Sequence, residues 1–166
     1  NPVPSGTNST CTATASLGYA FANWSGDCTG ATCTLTNVTS AKSITANFTA
    51  LPLLNIDDSD APDVYGPATD GLLLMRHLLG LRGSALTQGL LGTNARRNAA
   101  QIDTHITTYL TLFDVDGDGS TTAVTDGLLI VRRLLGLSGP ALTAGARAPS
   151  VRTDTDIANA IDRLKP

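Results

Sequence analysis

Thirteen residues, Thr69-Asp70-Gly71-Leu72-Leu73-Leu74-Met75-Arg76-His77-Leu78-Leu79-Gly80-Leu81, return 56 positions later as Thr125-Asp126-Gly127-Leu128-Leu129-Ile130-Val131-Arg132-Arg133-Leu134-Leu135-Gly136-Leu137. An internal repeat constrains a chain more than any local propensity, because each copy is one supersecondary unit and the fold must build the same unit twice. In both copies apolar residues recur at helical spacing. Leu72, Met75 and Leu79 in the first, and Leu128, Val131 and Leu135 in the second, predict a helix with these residues on one face and arginines on another. Gly80 and Gly136 are the expected C-terminal stops. After a connector rich in Gly, Ala and Thr, each copy offers a second helix, over residues 99–112 around Ile102, Ile106 and Leu110, and over 154–164 around Ile157, Ala160, Ile161 and Leu164.

The chemistry precedes these helices. Asp114-Val115-Asp116-Gly117-Asp118-Gly119-Ser120 sets three carboxylates at alternate positions and closes them with glycine. A hard cation such as Ca²⁺ takes six to eight oxygens at about 2.3–2.6 Å, and alternate residues of a tight loop can aim their side chains at one point while glycine permits the turn. This is the opening half of an EF-hand loop. The expected ligands are Asp114, Asp116, Asp118, the Ser120 carbonyl and Asp126, which stands one place beyond the position where the EF-hand pattern carries Glu. The shorter Asp must come from nearer, and one extra residue in 120–125 bulges the loop to bring it in. The alternative for Asp126 is an N-cap on the next helix. Ahead of the first copy, Asn55-Ile56-Asp57-Asp58-Ser59-Asp60 stands in the matching place, so Asn55, Asp57, Ser59 and Asp70 are the equivalent candidates. That loop is longer, with Asp58, Asp60 and Asp63 as spare carboxylates that could replace a missing oxygen. Two calcium sites are expected.

Residues 54–81 and 113–137 resemble the dockerin family. The resemblance implies two calcium loop-helix segments about a pseudo-twofold axis, with the ligands just named, and a cohesin-bearing protein as partner. The copies lie farther apart than in cellulosomal dockerins. The Thr-Asp-Gly-Leu-Leu signature followed by Leu-Leu-Gly-Leu is more similar to dockerin-type repeats at the ends of large bacterial surface proteins.

The first fifty residues are a different material. Thr, Ser, Asn and Ala dominate, Asp27 is the only acid, and strand-prone stretches at 11–15, 18–24, 33–38 and 43–48 alternate with turn signals. Gly18-Tyr19-Ala20-Phe21-Ala22-Asn23-Trp24-Ser25-Gly26-Asp27-Cys28, Cys33-Thr34-Leu35-Thr36 and Ala41-Lys42-Ser43-Ile44-Thr45-Ala46-Asn47-Phe48 resemble the bacterial internalin-type B-repeat. The resemblance implies a minimal core of Tyr19, Phe21, Trp24 and Phe48, and a disulfide between Cys28 and Cys33. Cys11 is then left over. Related repeats carry a further strand and cysteine ahead of this point, which implies a fragment or processed product of a longer protein; a free or interchain Cys11, with strand exchange into a fibre, is the alternative.

All fourteen acidic residues are Asp, and the formal charge is −3. Two Ca²⁺ would reverse that sign, and so mild a charge argues against a nucleic-acid partner. No stretch is long enough to span a membrane. His77 and His105 fall on different helices with no zinc-type or nucleophile–base spacing, so no enzyme is expected. His77 is expected on a helix surface or interface, and Arg96-Arg97 and Arg132-Arg133 as solvated charges. The expected fold is α+β and modular, a disulfide-containing β module at 1–50 followed by a mostly helical, dockerin-like calcium domain at 51–166 with copies at 51–110 and 111–166. The expected role is a non-catalytic, extracellular calcium-binding structural or adhesive module of a bacterial surface or secreted protein. The alternatives are a dockerin that recruits a cohesin-bearing partner and a calcium-stabilised filament subunit that self-associates into a homo-oligomer or fibre.

Overall fold

A computed structural model describes residues 4–147 and 152–166. Residues 1–3 of the opening segment and 148–151 of the second connector lie outside the described residues. The chain divides into two compact units, Asn1–Leu51 and Pro52–Pro166.

In the first unit Thr, Ile, Val and aromatic residues favour extended backbone, and four strands form: β1 (Thr7–Cys11), β2 (Tyr19–Gly26), β3 (Cys33–Val38) and β4 (Ile44–Ala50). They pair antiparallel as two ribbons, β1 with β3 and β2 with β4. Cys28 and Cys33 form a disulfide, with Cα atoms 5.5 Å apart. Together with Trp24 they are the buried centre, against which Cys11, Ala13, Phe21, Leu35, Ile44 and Ala46 pack. Phe21 bridges that centre to the opposite strand, its ring 5.5 Å from Trp24 and 5.8 Å from Phe48. Two expectations are corrected. The first strand lies upstream of residues 11–15, because Cys11 pairs with Cys33 at its end and the polar Thr7–Thr10 stretch supplies the ladder with no apolar period to mark it. Tyr19 and Phe48 are exposed and not core. Tyr19 opens β2 opposite Ala50, a partner too small to cover its ring, and a bulge between Phe21 and Asn23 aims Trp24 inward.

The second unit is built twice. A π-helical turn (Pro67–Gly71) runs into α1 (Leu72–Leu78), followed by a short α2 (Ser84–Thr87) and α3 (Ala99–Thr108). A second π-helical turn (Ala123–Gly127) runs into α4 (Leu128–Leu134), a short α5 (Gly139–Thr143) and α6 (Asp154–Asp162). A 3₁₀ turn, Leu110–Phe113, joins the copies. The stops form as expected. Gly80 and Gly136 both sit at φ +87°, and the amides beyond them, Leu81 and Leu137, return to the Arg76 and Arg132 carbonyls at 2.9 and 3.0 Å. The helices α3 and α6 begin with reciprocal caps, Asn98 with Gln101 and Thr153 with Asp156.

The buried face of the repeated helices differs from the expected one. Leu73, Leu74 and His77 in α1, and Leu129 and Ile130 in α4, are buried, whereas Leu72, Leu79 and Leu135 are exposed. Met75 and Val131 lie at the seam between copies. A side chain on Gly127 would collide with Met75 Sδ, and one on Gly71 would come 3.0 Å from Val131 Cγ2, so each repeat's glycine makes room for the other's helix. Of the two places expected for His77, a helix surface or an interface, it takes the interface, buried against α3. Its Nδ1 lies 3.2 Å from Asp103 Oδ1 on α3, which Arg82 Nε approaches at 2.8 Å.

The arginines are engaged as well. Arg76 donates to the Leu86 and Gln88 carbonyls at 3.3 and 2.9 Å, and Arg132 repeats this on Leu142 and Ala144 at 3.0 and 2.8 Å, each cation sitting at the C-terminal end of the short helix that follows. Arg133 pairs with Asp162, 2.6 Å away, and Arg96 with Asp60. The expectation of solvated charges is corrected for Arg97, Arg132 and Arg133, which are half-buried because loop and turn carbonyls, or Asp162, accept their N–H groups, whereas Arg96 pairs with Asp60 and stays exposed.

Candidate metal centre

The second loop brings its three alternate carboxylates together. One oxygen each from Asp114, Asp116 and Asp118 lies within 4.8 Å of the others, the only such group of three or more acidic, His or Cys side chains among the described residues. The loop is wound by its own amides. Gly117 and Gly119 donate to the two Asp114 oxygens at 2.8 and 3.0 Å, Asp118 donates to Asp116 Oδ1 at 3.2 Å, and Ser120 donates to Asp118 Oδ1 at 2.8 Å. Gly117 and Gly119 take φ of +78° and +91°, which side-chain-bearing residues adopt at a cost of about 1–2 kcal/mol. Asp116 is fully buried, Asp114 half-buried and Asp118 exposed, so the cluster opens to solvent on one side.

Asp126 closes the loop from below. It is fully buried in the π-helical turn, and its Oδ1 accepts from the amides of Val115 and Asp116 at 2.9 and 3.4 Å, its Oδ2 from Thr122 N and Thr125 Oγ1 at 2.9 and 2.8 Å. The cap at this turn is Thr122, not Asp126. A carboxylate has about four acceptor positions, and these four donors fill them, so a cation ligated by Asp126 must displace one of them. Ser120 is exposed at the loop's far end.

The first loop repeats the closing arrangement. Asp70 Oδ1 accepts from Ile56 N at 2.6 Å, and Oδ2 from Gly66 N and Thr69 Oγ1 at 2.9 and 3.2 Å. Its upper half is more enclosed. Asn55, Asp57 and Ser59 are all buried. Asn55 exchanges bonds with the Ser59 backbone at 2.9 and 3.1 Å, and Asp57 accepts from Ser59 N at 3.1 Å and from Gly92 N at 2.6 Å. Ser59 Oγ is buried and has no hydrogen-bond partner. Burial, and repulsion from Asp57, push the Asp70 carboxyl up to about 7, against the amide donors that pull it down. The spare carboxylates turn to the 92–97 segment. Arg96 beside Asp60, and the Thr93 hydroxyl and amide on Asp63, hold both below the usual carboxylate range. Asp58 lies 3.9 Å from Arg96.

The donor sets suit a hard cation: oxygens only, clustered carboxylates in the second loop, and in the first two buried carboxylates, Asp57 and Asp70, with a buried Ser59 hydroxyl that has no hydrogen-bond partner. Residues 97 and 152 also reach these loops, and nothing in their local sequence announces it.

Residues 1–52 match the family described as the divergent InlB B-repeat domain. The β unit is B-repeat-like. B-repeat domains occur in bacterial surface proteins, and the matched family is a structural repeat and not an enzyme family. No curated protein and no solved structure matches the chain. Among the described residues no helix is long and apolar enough to cross a membrane.

Proposed function

We propose that Pro52–Pro166 is a calcium-ordered, non-catalytic module that a bacterial surface or secreted protein carries behind a B-repeat. The observation that carries this reading is the oxygen cluster of Asp114, Asp116 and Asp118, mutually within 4.8 Å. Like charges that close repel one another, and a divalent cation between them turns that repulsion into ligation. The second copy would use these three with Asp126 and the Ser120 carbonyl; the first would use Asn55, Asp57, Ser59 and Asp70, where the buried Ser59 hydroxyl has no hydrogen-bond partner and is available as a ligand. Calcium supplies charge neutralisation and a fixed geometry. The residues then tie each loop to the helix that follows, since Asp70 and Asp126 already bridge loop amides to the π-helical turns.

A protein partner is the second reading. Leu79 and Leu135, equivalent in the two repeats, are 62% and 60% exposed, apolar area that a cohesin-like domain or a second copy of the chain would cover. Sedimentation with calcium, with chelator and with a cohesin separates these occupants.

Thermal melting tests the main reading. Calcium at a hundredfold over its dissociation constant adds roughly 2.7 kcal/mol per site, which raises the melting temperature of a unit this size by on the order of 10 °C. Identical melting in calcium and in chelator contradicts it.

A further inference from the structure

Ile56 and Val115 are the residues between the first two ligand candidates of each loop, Asn55 and Asp57 in one, Asp114 and Asp116 in the other. Each is held at three points. Their side chains are fully buried. Their amides donate to the closing carboxylates, Ile56 to Asp70 at 2.6 Å and Val115 to Asp126 at 2.9 Å. Their carbonyls accept from an arginine: Arg97 Nη1 donates to the Asn55 and Ile56 carbonyls, the latter at 2.9 Å, and Arg152 Nη1 to the Asp114 and Val115 carbonyls, both at 2.8 Å.

The two arginines come from the same place in the fold. Arg97 immediately precedes the Asn98 cap of α3, and Arg152 the Thr153 cap of α6. They span 41 and 37 residues to reach their loops, across connectors of unlike sequence. Arg152 also lies over the loop itself, where a side chain on Gly117 would come 2.8 Å from its Nε. In the first copy the backbone adds to the tie, the Arg96 and Arg97 amides both donating to the Asp57 carbonyl, at 3.1 and 3.0 Å. A guanidinium suits this task, because its Nη1 carries two N–H groups held in a fixed plane and can serve adjacent carbonyls, which a lysine ammonium, a point charge on a flexible stem, holds less firmly.

We infer that Arg97 and Arg152 are positioning residues for the two metal loops, fixing the carbonyls between the first two ligands so that those side chains converge, and linking metal occupancy to the seating of α3 and α6. This rests on the calcium reading above. An arginine so placed does not touch the ion. It orients the residues that do, and removing such outer partners characteristically weakens metal binding.

The test uses the full chain, with calcium alone as the titrant, in the unaltered protein and in Arg97→Gln, Arg152→Gln and the two Arg→Lys variants. Each Gln variant is expected to weaken one of two calcium-binding events by about tenfold or more and to leave the other within about twofold, with Lys intermediate. Luminescence lifetimes of Tb³⁺ bound in place of calcium give a second readout: the altered site should hold more water. A bond that merely braces the fold would lower the melting temperature equally in calcium and in chelator with affinities unchanged, and that result overturns the inference. So do Gln variants that bind like the unaltered chain. If a Gln variant does not fold, the Lys variant decides by the same criteria. Should the unaltered chain fail to bind calcium, the proposed function falls first and this inference with it; normal binding in the unaltered chain and in every variant removes only the inference.

Discussion

Asp126 shows how much one buried carboxylate can organise. It accepts from three amides, Val115, Asp116 and Thr122, and from the Thr125 hydroxyl. Asp126→Ala leaves these amides without an acceptor in a buried site and should cost about 3 kcal/mol even in chelator, measured by urea denaturation. A loss below about 1 kcal/mol would show the amides finding other partners. Asp118 makes the contrast. It is exposed and its hydrogen bonds, to Asp116 and from Ser120, lie within the loop, so Asp118→Ala should leave metal-free stability within about 0.5 kcal/mol while weakening calcium binding. Sequence spacing reveals both residues as ligand candidates, because alternate acids and glycine form a short, self-contained signature. It does not reveal what Asp126 does for the backbone. A π-helical turn has no hydrophobic period, and two of the three amides that Asp126 serves lie ten and eleven residues away.

At the scale of elements, the repeat makes the helices α1 and α4 legible and leaves their orientation open. With leucine at 72, 73 and 74 more than one helical face is apolar, and only packing selects Leu73, Leu74 and His77 as the buried one. His77 is thereby placed against α3, facing Asp103 and Arg82. Burial, assisted by Arg82 and opposed by Asp103, holds its pKa below the ordinary 6.5; burial likewise lowers that of His105, whose Nε2 is 2.8 Å from the Leu53 carbonyl. Between the folded and unfolded values the unfolded chain binds more protons, so this stabilisation is whole above about pH 6.5 and is lost as pH falls through the folded values. Asp70, pushed up to about 7, titrates in the same window with the opposite sign, so the test is a difference: from pH 7.5 to 5.5 the melting temperature of the unaltered chain should fall more, or rise less, than that of His77→Gln. Equal slopes in the two proteins would contradict the assignment. The strands were less legible than the helices. The Thr7–Thr10 part of β1 is polar on both faces, so its pairing with β3 comes from the ladder itself and from Cys11 meeting Cys33. Gly26, at φ +94° with the Ser43 carbonyl where a side chain would project, should not accept alanine: Gly26→Ala is expected to cost at least about 2 kcal/mol in the β unit.

Across the whole molecule, two different staples serve two different materials. Among its described residues the β unit buries only Trp24, Cys28 and Cys33, a centre too small to stand on apolar area, and closes it with a disulfide. Reducing a bridge across so short a loop should remove about 2 kcal/mol from that unit. The helical unit gathers thirteen of the fourteen aspartates, beside an apolar core that includes Leu54, Ile56, Leu73, Leu129, Ile130 and Phe113. Its acids are either paired with arginines and amides or assembled into the two loops. We propose that metal filling those loops is what completes the helical unit. Calorimetric titration of the metal-stripped full chain with Ca²⁺ tests this most directly: two binding events are predicted, with Asp116→Asn removing one and sparing the other, and a chain that takes up no calcium, or an Asp116→Asn variant that binds as the unaltered chain does, would contradict it.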